Sequence, residues 1–308
     1  MMEFVVPESV LAQRIDQVLS NALGVSRSHI KQMIKKGLIQ KSGTSIKVSL
    51  IVNAGDIITF LTSVTEPALF VPRTRPLEIV YEDNDVLVIS KPAGIAVHPT
   101  HENDTQETVI ESVLHYLPEI KHIGDSPLRP GLVHRLDKGV SGIMIIAKNP
   151  SAFVFLKQQF ADRLVQKHYV GLVYGMLPNE TGTIRFRIGR SKNQGRMVAY
   201  PEMSEEGKEA ISHYEILQRF KTTTLVKIRI ETGRTHQIRV HFYASDHPLV
   251  GDSLYKKQHM KHTKPIPLAR IFLHSSSLTC TLPCGNTQTF ESPLPPELLS
   301  LLGTLTKS

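Results

Sequence analysis

Asp137 is the carboxylate in this chain whose sequence context best suits chemistry. It precedes five consecutive apolar residues, 143–147, in the segment 131–149, GLVHRLDKGVSGIMIIAKN. Such a run is typical of a strand that is covered on both faces. A carboxylate beside a buried strand is drawn towards low dielectric, where it needs a cation or hydrogen-bond donors to stay ionised. Asp137 is therefore a candidate reactive group, although a structural ion pair with Arg135 would produce the same pattern.

The residues before the apolar run predict a strand and a turn. Val133, Arg135 and Asp137 recur at period 2, so on a strand their side chains would share one face. Gly139 and Gly142 then interrupt the pattern, as turn residues do. We therefore expect Asp137 at the end of a strand, beside a turn that leads into the buried strand.

Three further segments form long motifs with polar residues at fixed places. They are 91–99 (KPAGIAVHP), 231–241 (ETGRTHQIRVH) and 249–255 (LVGDSLY). Together with HRLD at 134–137, in this order and spacing, they resemble the RluA-type pseudouridine synthases, and among these the RluD-like branch that modifies large-subunit ribosomal RNA. The resemblance covers the chain from about residue 76 to the C-terminus.

This resemblance implies an isomerase that acts on uridines of RNA. Such an enzyme breaks the N-glycosidic bond, turns the freed base and rejoins it to the ribose through carbon 5. The reaction has no net redox change, so we expect no cofactor. The sequence agrees with this, because it contains no Gly-rich loop of the P-loop or dinucleotide-binding type.

The resemblance also assigns three catalytic residues. Asp137 matches the catalytic aspartate, which acts at the ribose either as a nucleophile or as a base. Arg234 matches the arginine that pairs with this aspartate, and an opposite charge favours the ionised form of a carboxylate. Tyr169 matches the tyrosine that stacks on the uracil and is a candidate acceptor of the carbon-5 proton. From the residues alone, Arg234 also fits a surface turn and Tyr169 also fits cross-strand packing.

Three more residues match substrate-binding positions of the family. Leu273 matches the apolar residue that walls the base pocket. Arg135 is a candidate to fill the gap that a flipped nucleotide leaves in the RNA stack. Lys91 either contacts a phosphate or stabilises the fold. Val140 departs from the family pattern, which has threonine at this place, and the missing hydroxyl either only capped the loop or ordered Asp137.

Residues 1–62 are predicted to form a separate small α/β unit, followed by a Pro-rich linker at 63–76. Apolar residues at helical spacing end at Gly24, and a second helix is predicted from Ser26, as N-cap, to Lys36. Three basic residues follow one face of this helix at four-residue steps: Arg27, Lys31 and Lys35. The unit resembles the S4-type RNA-binding module, which implies that these cations contact RNA. The alternative is a solvated helix face.

Residues 77–308 are predicted to form the catalytic domain. Helices are expected at 108–117 and 151–160. Strands are expected at 79–81, 86–90, 143–147, 167–174, 211–219, 224–231 and 237–243. Because helices and strands do not alternate regularly, we predict an α+β fold with a largely antiparallel mixed sheet and flanking helices.

Composition narrows the classes of partner. The chain of 308 residues carries 36 basic and 28 acidic side chains, a net charge of +8, which favours a polyanion such as ribosomal RNA. The N-terminus lacks the pattern of a signal peptide, and no apolar run is long enough to cross a membrane. The two cysteines, Cys280 and Cys284, predict neither a disulfide framework nor a metal site. We therefore expect a cytoplasmic monomer that binds no metal and no membrane.

Two other functions compete with this interpretation. A non-catalytic RNA-binding protein on a retired synthase fold would retain the basic surface, and Val140 is the residue in its favour. A metal-dependent hydrolase is suggested by fourteen histidines, but the sequence contains no His-Glu-x-x-His motif and no Cys/His cluster.

Overall fold

The computed structural model describes residues 2–25, 27–62, 75–101, 104, 106–191, 195–256 and 266–307. The chain divides into two compact units, Met1–Val71 and Pro72–Ser308. Most of the predicted linker and the predicted N-cap Ser26 lie outside the described residues. The boundaries at 62 and 77, and that cap, therefore stay predictions.

The N-terminal unit packs two helices against short antiparallel strands. Helix α1 (Ile15–Leu23) ends at Gly24, whose φ of 65° is a left-handed conformation that glycine adopts at low cost. Helix α2 spans Arg27–Lys35. The described strands are β1 (Met2–Val5), β2 (Gln13–Arg14), β3 (Ile39–Lys41), β4 (Thr44–Ser45), β5 (Ile51–Val52) and β6 (Ile57–Phe60). They pair in the orders β1-β6-β3-β4 and β2-β5, and apolar side chains of helices and strands share one core.

A large mixed sheet forms the centre of the C-terminal unit. Its described strands are β7 (Ile79–Glu82), β8 (Val86–Lys91), β9 (Ser141–Ala147), β10 (Gln166–Tyr174), β11 (Thr181–Arg190), β12 (Met197–Tyr200), β13 (Lys208–Arg219), β14 (Thr223–Ile230), β15 (Leu273–Thr281) and β16 (Thr287–Glu291). The order is β12-β11-β13-β14-β10-β15-β9-β8-β7, with β16 beside β15. Of the pairs between these strands, β9–β15 alone is parallel. The predicted α+β fold with a largely antiparallel mixed sheet is confirmed.

Strand β9 is the buried strand that the apolar run predicts, and all of its residues are buried. Where it meets β15, the two backbones approach closely at Gly142. A Cβ atom at this glycine would lie 2.1 Å from the carbonyl oxygen of Ser275, and its φ is +115°. Only glycine fits this place, and the contact fixes the start of β9 next to β15.

Helices α3 (Val109–Tyr116), α4 (Pro150–Ala161), α5 (Gln237–Ala244) and α6 (Pro296–Thr304) flank the sheet. The predicted strand at 237–243 is wrong, because this segment is helix α5. Ile238, Val240 and Phe242 alternate as in a strand, but the helix also buries the polar residues Gln237 and His241, which a strand would place on the opposite face. Eight residues are too few for the two periods to be distinguished by pattern.

The predicted strand at 133–137 is also wrong. These residues form an irregular loop, and the residue before them, Leu132, makes an isolated bridge to Ile146 of β9. The Gly131 amide donates to the carbonyl of Ile123, and its own carbonyl accepts from the Ala147 amide. The loop therefore lies along the edge of β9 without pairing with it as a ladder.

Candidate active site

Asp137 lies in an open pocket of about 500 Å³ in the C-terminal unit. The walls come from the loop 131–140, from β10 and β15, and from the segment that joins β14 to α5. Among the described residues, the cations that line it are Arg129, Arg135, Arg163, Lys167, Arg234 and Arg239, and the carboxylates are Asp137 and Glu231. A concave surface with this excess of positive charge attracts anionic ligands.

His134 anchors the loop that carries Asp137. Its Nε2 atom accepts a hydrogen bond of 3.0 Å from the Ile145 amide of β9. Its ring stacks on Phe160 of α4, with centroids 4.8 Å apart. Burial lowers the pKa of His134 to about 3, so the neutral ring has a lone pair to offer this amide. A side chain thus takes the place that a neighbouring strand's carbonyl would occupy.

The guanidinium beside Asp137 belongs to Arg239, and the predicted pairing with Arg234 is wrong. Arg239 Nη1 lies 3.2 Å from Asp137 Oδ2, and these side chains are only 13% and 16% exposed. Arg234 also lines the pocket, but its Nε atom donates to the carbonyl oxygen of Glu209. The reason is helix α5, which begins just after Arg234 and carries Arg239 towards Asp137 on its first turn.

A second carboxylate, Asp252, orients Arg239. It accepts from Arg239 Nε at 2.7 Å and from Nη2 at 2.9 Å, and its side chain is 1% exposed. The amides of Leu254 and Tyr255 also donate to it. Burial acts to raise the pKa of Asp252, but the hydrogen bonds and charge of Arg239 outweigh it and hold the pKa below its usual value. Asp252 and Tyr255 belong to the LVGDSLY motif, none of whose residues was predicted to have a role of its own.

His236 is another pocket residue without a predicted role. Its Nδ1 atom lies 3.0 Å from the hydroxyl of Tyr255, which itself donates to the carbonyl oxygen of Met197. Since that hydroxyl has one proton, this network assigns the ring hydrogen of His236 to Nδ1. Burial lowers the pKa of His236 despite the opposing charge of Asp137. The unprotonated Nε2 atom is therefore the one on the side of Asp137, 3.9 Å from Oδ2.

Tyr169 and Leu273 are brought together as predicted. They lie on the paired strands β10 and β15, both are buried, and both line the pocket with Asp137. Burial, followed by the charge of Asp137, raises the pKa of Tyr169 well above its usual value. The hydroxyl of Tyr169 therefore stays protonated at neutral pH.

Lys91 does not reach the pocket, and its assignment to substrate binding is wrong. The side chain is 0% exposed, and its Nζ atom donates to the carbonyl oxygens of Pro92 (2.7 Å), Ile95 (2.8 Å) and Lys138 (3.4 Å). Burial and then the charge of Arg270 lower its pKa to about 7. The alternative role, stabilisation of the fold, matches these contacts, because they tie strand β8 to the loop of Asp137.

Arg135 and Val140 lie on either side of Asp137 in the loop. Arg135 is exposed and lines the pocket, where a bound nucleic acid could reach it. Val140 is buried, and its amide donates to the Asp137 carbonyl at 3.0 Å. The turn after Asp137 is thus closed by the backbone at this position, without a side-chain hydroxyl.

In the N-terminal unit, the predicted basic face is organised by a buried acid. The Asp16 side chain is fully buried and contacts Arg14 (2.9 Å), Arg27 (2.8 Å) and Lys31 (3.5 Å). Lys35 is exposed further along α2. Three cations thus surround one carboxylate and leave a net positive charge at the surface.

Comparison with known proteins gives two family matches. The family described as RNA pseudouridylate synthase matches residues 85–244, and the S4 domain matches residues 13–58. In the described part of the chain, no helix is long and apolar enough to cross a membrane. The same residues include no group of three or more His, Cys, Asp or Glu side chains that could hold a metal ion.

Several individual proteins are similar over most of the chain. An uncharacterized RNA pseudouridine synthase of Bacillus subtilis, YlyB, is 34% identical over 98% of this chain and 97% of its own. The ribosomal large subunit pseudouridine synthase D of Yersinia pestis is 40% identical over 81% of this chain and 75% of its own. Among solved structures, human RNA pseudouridylate synthase domain containing 1 has a TM-score of 0.61 at 26% identity and covers 79% of this chain and 92% of its own.

Proposed function

This chain belongs to the family of RNA pseudouridylate synthases, and we propose that it isomerises specific uridines of large-subunit ribosomal RNA to pseudouridine. Relatives whose names specify the large ribosomal subunit support this substrate. The match to the S4 domain and the net charge of +8 fit an extended RNA partner. We expect the protein to act as a monomer in the cytoplasm, where bacterial relatives of this kind would meet ribosomal RNA.

The observation that carries the proposal is the way in which Asp137 is held. Its Oδ2 atom contacts Arg239, whereas Oδ1 has no hydrogen-bond partner among the residues that the structure describes. One oxygen is thus anchored beside a fixed positive charge, and the other is available to a ligand in the pocket. A carboxylate in this state is suited to act at the ribose, as a nucleophile at carbon 1′ or as a base.

Other pocket residues would bind and hold the base during the reaction. Tyr169 and Leu273 offer a buried, largely apolar surface on which a uracil could stack while it turns. Because the raised pKa keeps Tyr169 a neutral phenol, its ring is suited to this stacking role, and acceptance of the carbon-5 proton is the alternative. Arg135 is exposed beside the pocket and is placed to fill the gap left in the RNA stack.

The test of this function is a pseudouridine map of ribosomal RNA from cells with and without the gene, and from cells that carry only Asp137→Asn. We expect particular large-subunit pseudouridines to disappear in both mutant strains. Binding of ribosomal RNA by purified Asp137→Asn protein should persist. An unchanged map in the deletion strain would refute the substrate. If the strain with Asp137→Asn has the wild-type map, Asp137 is not the catalytic residue, and the alternative of a non-catalytic RNA-binding protein is favoured.

A further inference from the structure

Lys167 is a buried cation in the pocket to which the reaction outlined above gives no role. Its side chain is 8% exposed, and it lines the same pocket as Asp137. On β10 it precedes Tyr169 by two residues, so the two side chains share a face of the strand. Their Cα atoms are about 7 Å apart at the usual rise of a strand.

The groups around Lys167 do not neutralise its charge. Among the described residues, its Nζ atom has no ion-pair or hydrogen-bond partner, and it lies over the Phe160 ring, 5.7 Å from the centroid. The charge that acts on it is the cation Arg163, which adds to burial in lowering the pKa of Lys167 to about 8. A single cation–π contact offsets little of what it costs to take an ammonium group out of water. The apo pocket therefore contains a cation that lacks an anion.

We propose that Lys167 binds a backbone phosphate of the RNA, next to the target uridine, while Tyr169 holds the uracil. This inference rests on the proposed function, because a flipped uridine brings its flanking phosphates to the pocket together with its base. An ammonium group is a compact donor that suits a phosphate oxygen. Its distance from Tyr169 along β10 matches a ligand that offers a base and an anion a few ångströms apart. Such a contact would set the position of the nucleotide and would not read its sequence.

The test compares Lys167→Met with Lys157→Met. Lys157 is a matched control, because its Nζ atom also lies over a phenylalanine, 5.8 Å from the Phe153 centroid, but it pairs with Asp125 outside the pocket. The probe is the large-subunit ribosomal RNA stem-loop that the wild-type protein binds most tightly. It is synthesised with native phosphates, and with one neutral methylphosphonate placed in turn on either side of each loop uridine.

We expect Lys167→Met to weaken binding of the native stem-loop about tenfold, the effect of one charge-assisted hydrogen bond. One methylphosphonate position should weaken wild type and Lys157→Met by a similar factor and Lys167→Met less than twofold. Wild-type affinity in Lys167→Met would overturn the proposal. So would equal losses in Lys167→Met and wild type at every position, because the lysine would then act only through the fold. If wild type binds the stem-loop and forms no pseudouridine in it, the proposed function fails, while the binding comparison still decides the role of Lys167.

Discussion

Replacing Arg239 by lysine tests the central ion pair, and Arg234→Lys is its control. Arg239 donates two N–H groups to Asp252, at 2.7 and 2.9 Å, and one to Asp137, at 3.2 Å. Lysine keeps the charge but carries it on one ammonium group at the end of a flexible stem. It cannot hold Asp252 in a fork and also reach Asp137. The variant therefore changes geometry at constant charge.

The magnitude follows from the contacts that are lost. A hydrogen bond to a charged group contributes about 1.5–3 kcal/mol. Losing the contact between Arg239 and Asp137 in the transition state should lower the single-turnover rate constant about 10- to 150-fold, since about 1.4 kcal/mol is a factor of ten. The buried Asp252 would also lose at least one of its two hydrogen bonds from Arg239, which should lower the free energy of unfolding by about 1–3 kcal/mol. Arg234 donates to one backbone carbonyl. Arg234→Lys should therefore change the free energy of unfolding by no more than about 0.5 kcal/mol, and the rate constant by no more than about twofold.

The assay is single-turnover pseudouridine formation with saturating ribosomal RNA, followed by release of tritium from carbon 5 of labelled uridine. Thermal melts by circular dichroism identify a temperature at which both variants are folded. A wild-type rate for Arg239→Lys would refute the claim that this guanidinium positions Asp137. A rate for Arg234→Lys below that of Arg239→Lys would return the partnership to Arg234.

Three further predictions concern stability and RNA binding. Burial lowers the pKa of His241 to about 4, and neither ring nitrogen has a hydrogen-bond partner among the described residues. As the pH falls below about 6.5, the unfolded chain therefore takes up a proton at this histidine before the folded protein does. Between pH 7.5 and 5, the free energy of unfolding measured in urea should fall by about 2 kcal/mol less in His241→Phe than in wild type. An equal acid loss would contradict this. Gly142→Ala should prevent folding or lower the melting temperature severely, because its Cβ atom would clash with a backbone carbonyl, whereas Gly303→Ala, which meets nothing within 4 Å, should be tolerated. Alanine at all three basic positions of the α2 face, Arg27, Lys31 and Lys35, should lower the slope of log affinity against log salt by about 2–3. The variant also carries Asp16→Asn, because the buried carboxylate would otherwise keep only Arg14 of its three cations. An unchanged slope would mean that this face does not contact RNA.

The sequence supported the prediction of Asp137 and of the strand after it because both signals are local. The apolar run of β9 is continuous, and the aspartate adjoins it in the chain. Tyr169 and Leu273 were named through the family resemblance, and both line the pocket of Asp137. They lie 32 and 136 residues from Asp137 in the chain, so no local pattern could have brought the three together.

Arg239 was missed because the family resemblance assigned the pairing role to Arg234, and because the segment 237–243 was interpreted as a strand. At strand spacing, Arg234 and His236 share a face, and Arg239 falls on the opposite one. At helix spacing, His236 and Arg239 lie one turn apart on the same side, which is the side of Asp137 in the structure. The burial of Lys91 was equally invisible, because its Nζ atom donates to the carbonyls of Pro92 and Ile95, in the turn that follows it, and to that of Lys138, in the distant loop of Asp137.

The division of Arg239 between two carboxylates explains how Asp137 stays both fixed and available. Were its fork directed at Asp137, both carboxylate oxygens would be occupied, and the group would form a closed structural ion pair. Asp252 instead accepts from Nε and Nη2 and fixes the plane of the guanidinium, and Nη1 donates to Asp137 Oδ2 alone. The buried Asp252 accepts most of the hydrogen bonds of Arg239, and Asp137 keeps its Oδ1 atom available for a ligand. A residue 115 positions along the chain from Asp137 thus sets the state of the carboxylate, which is why the LVGDSLY motif belongs to the active site although none of its residues lines the pocket.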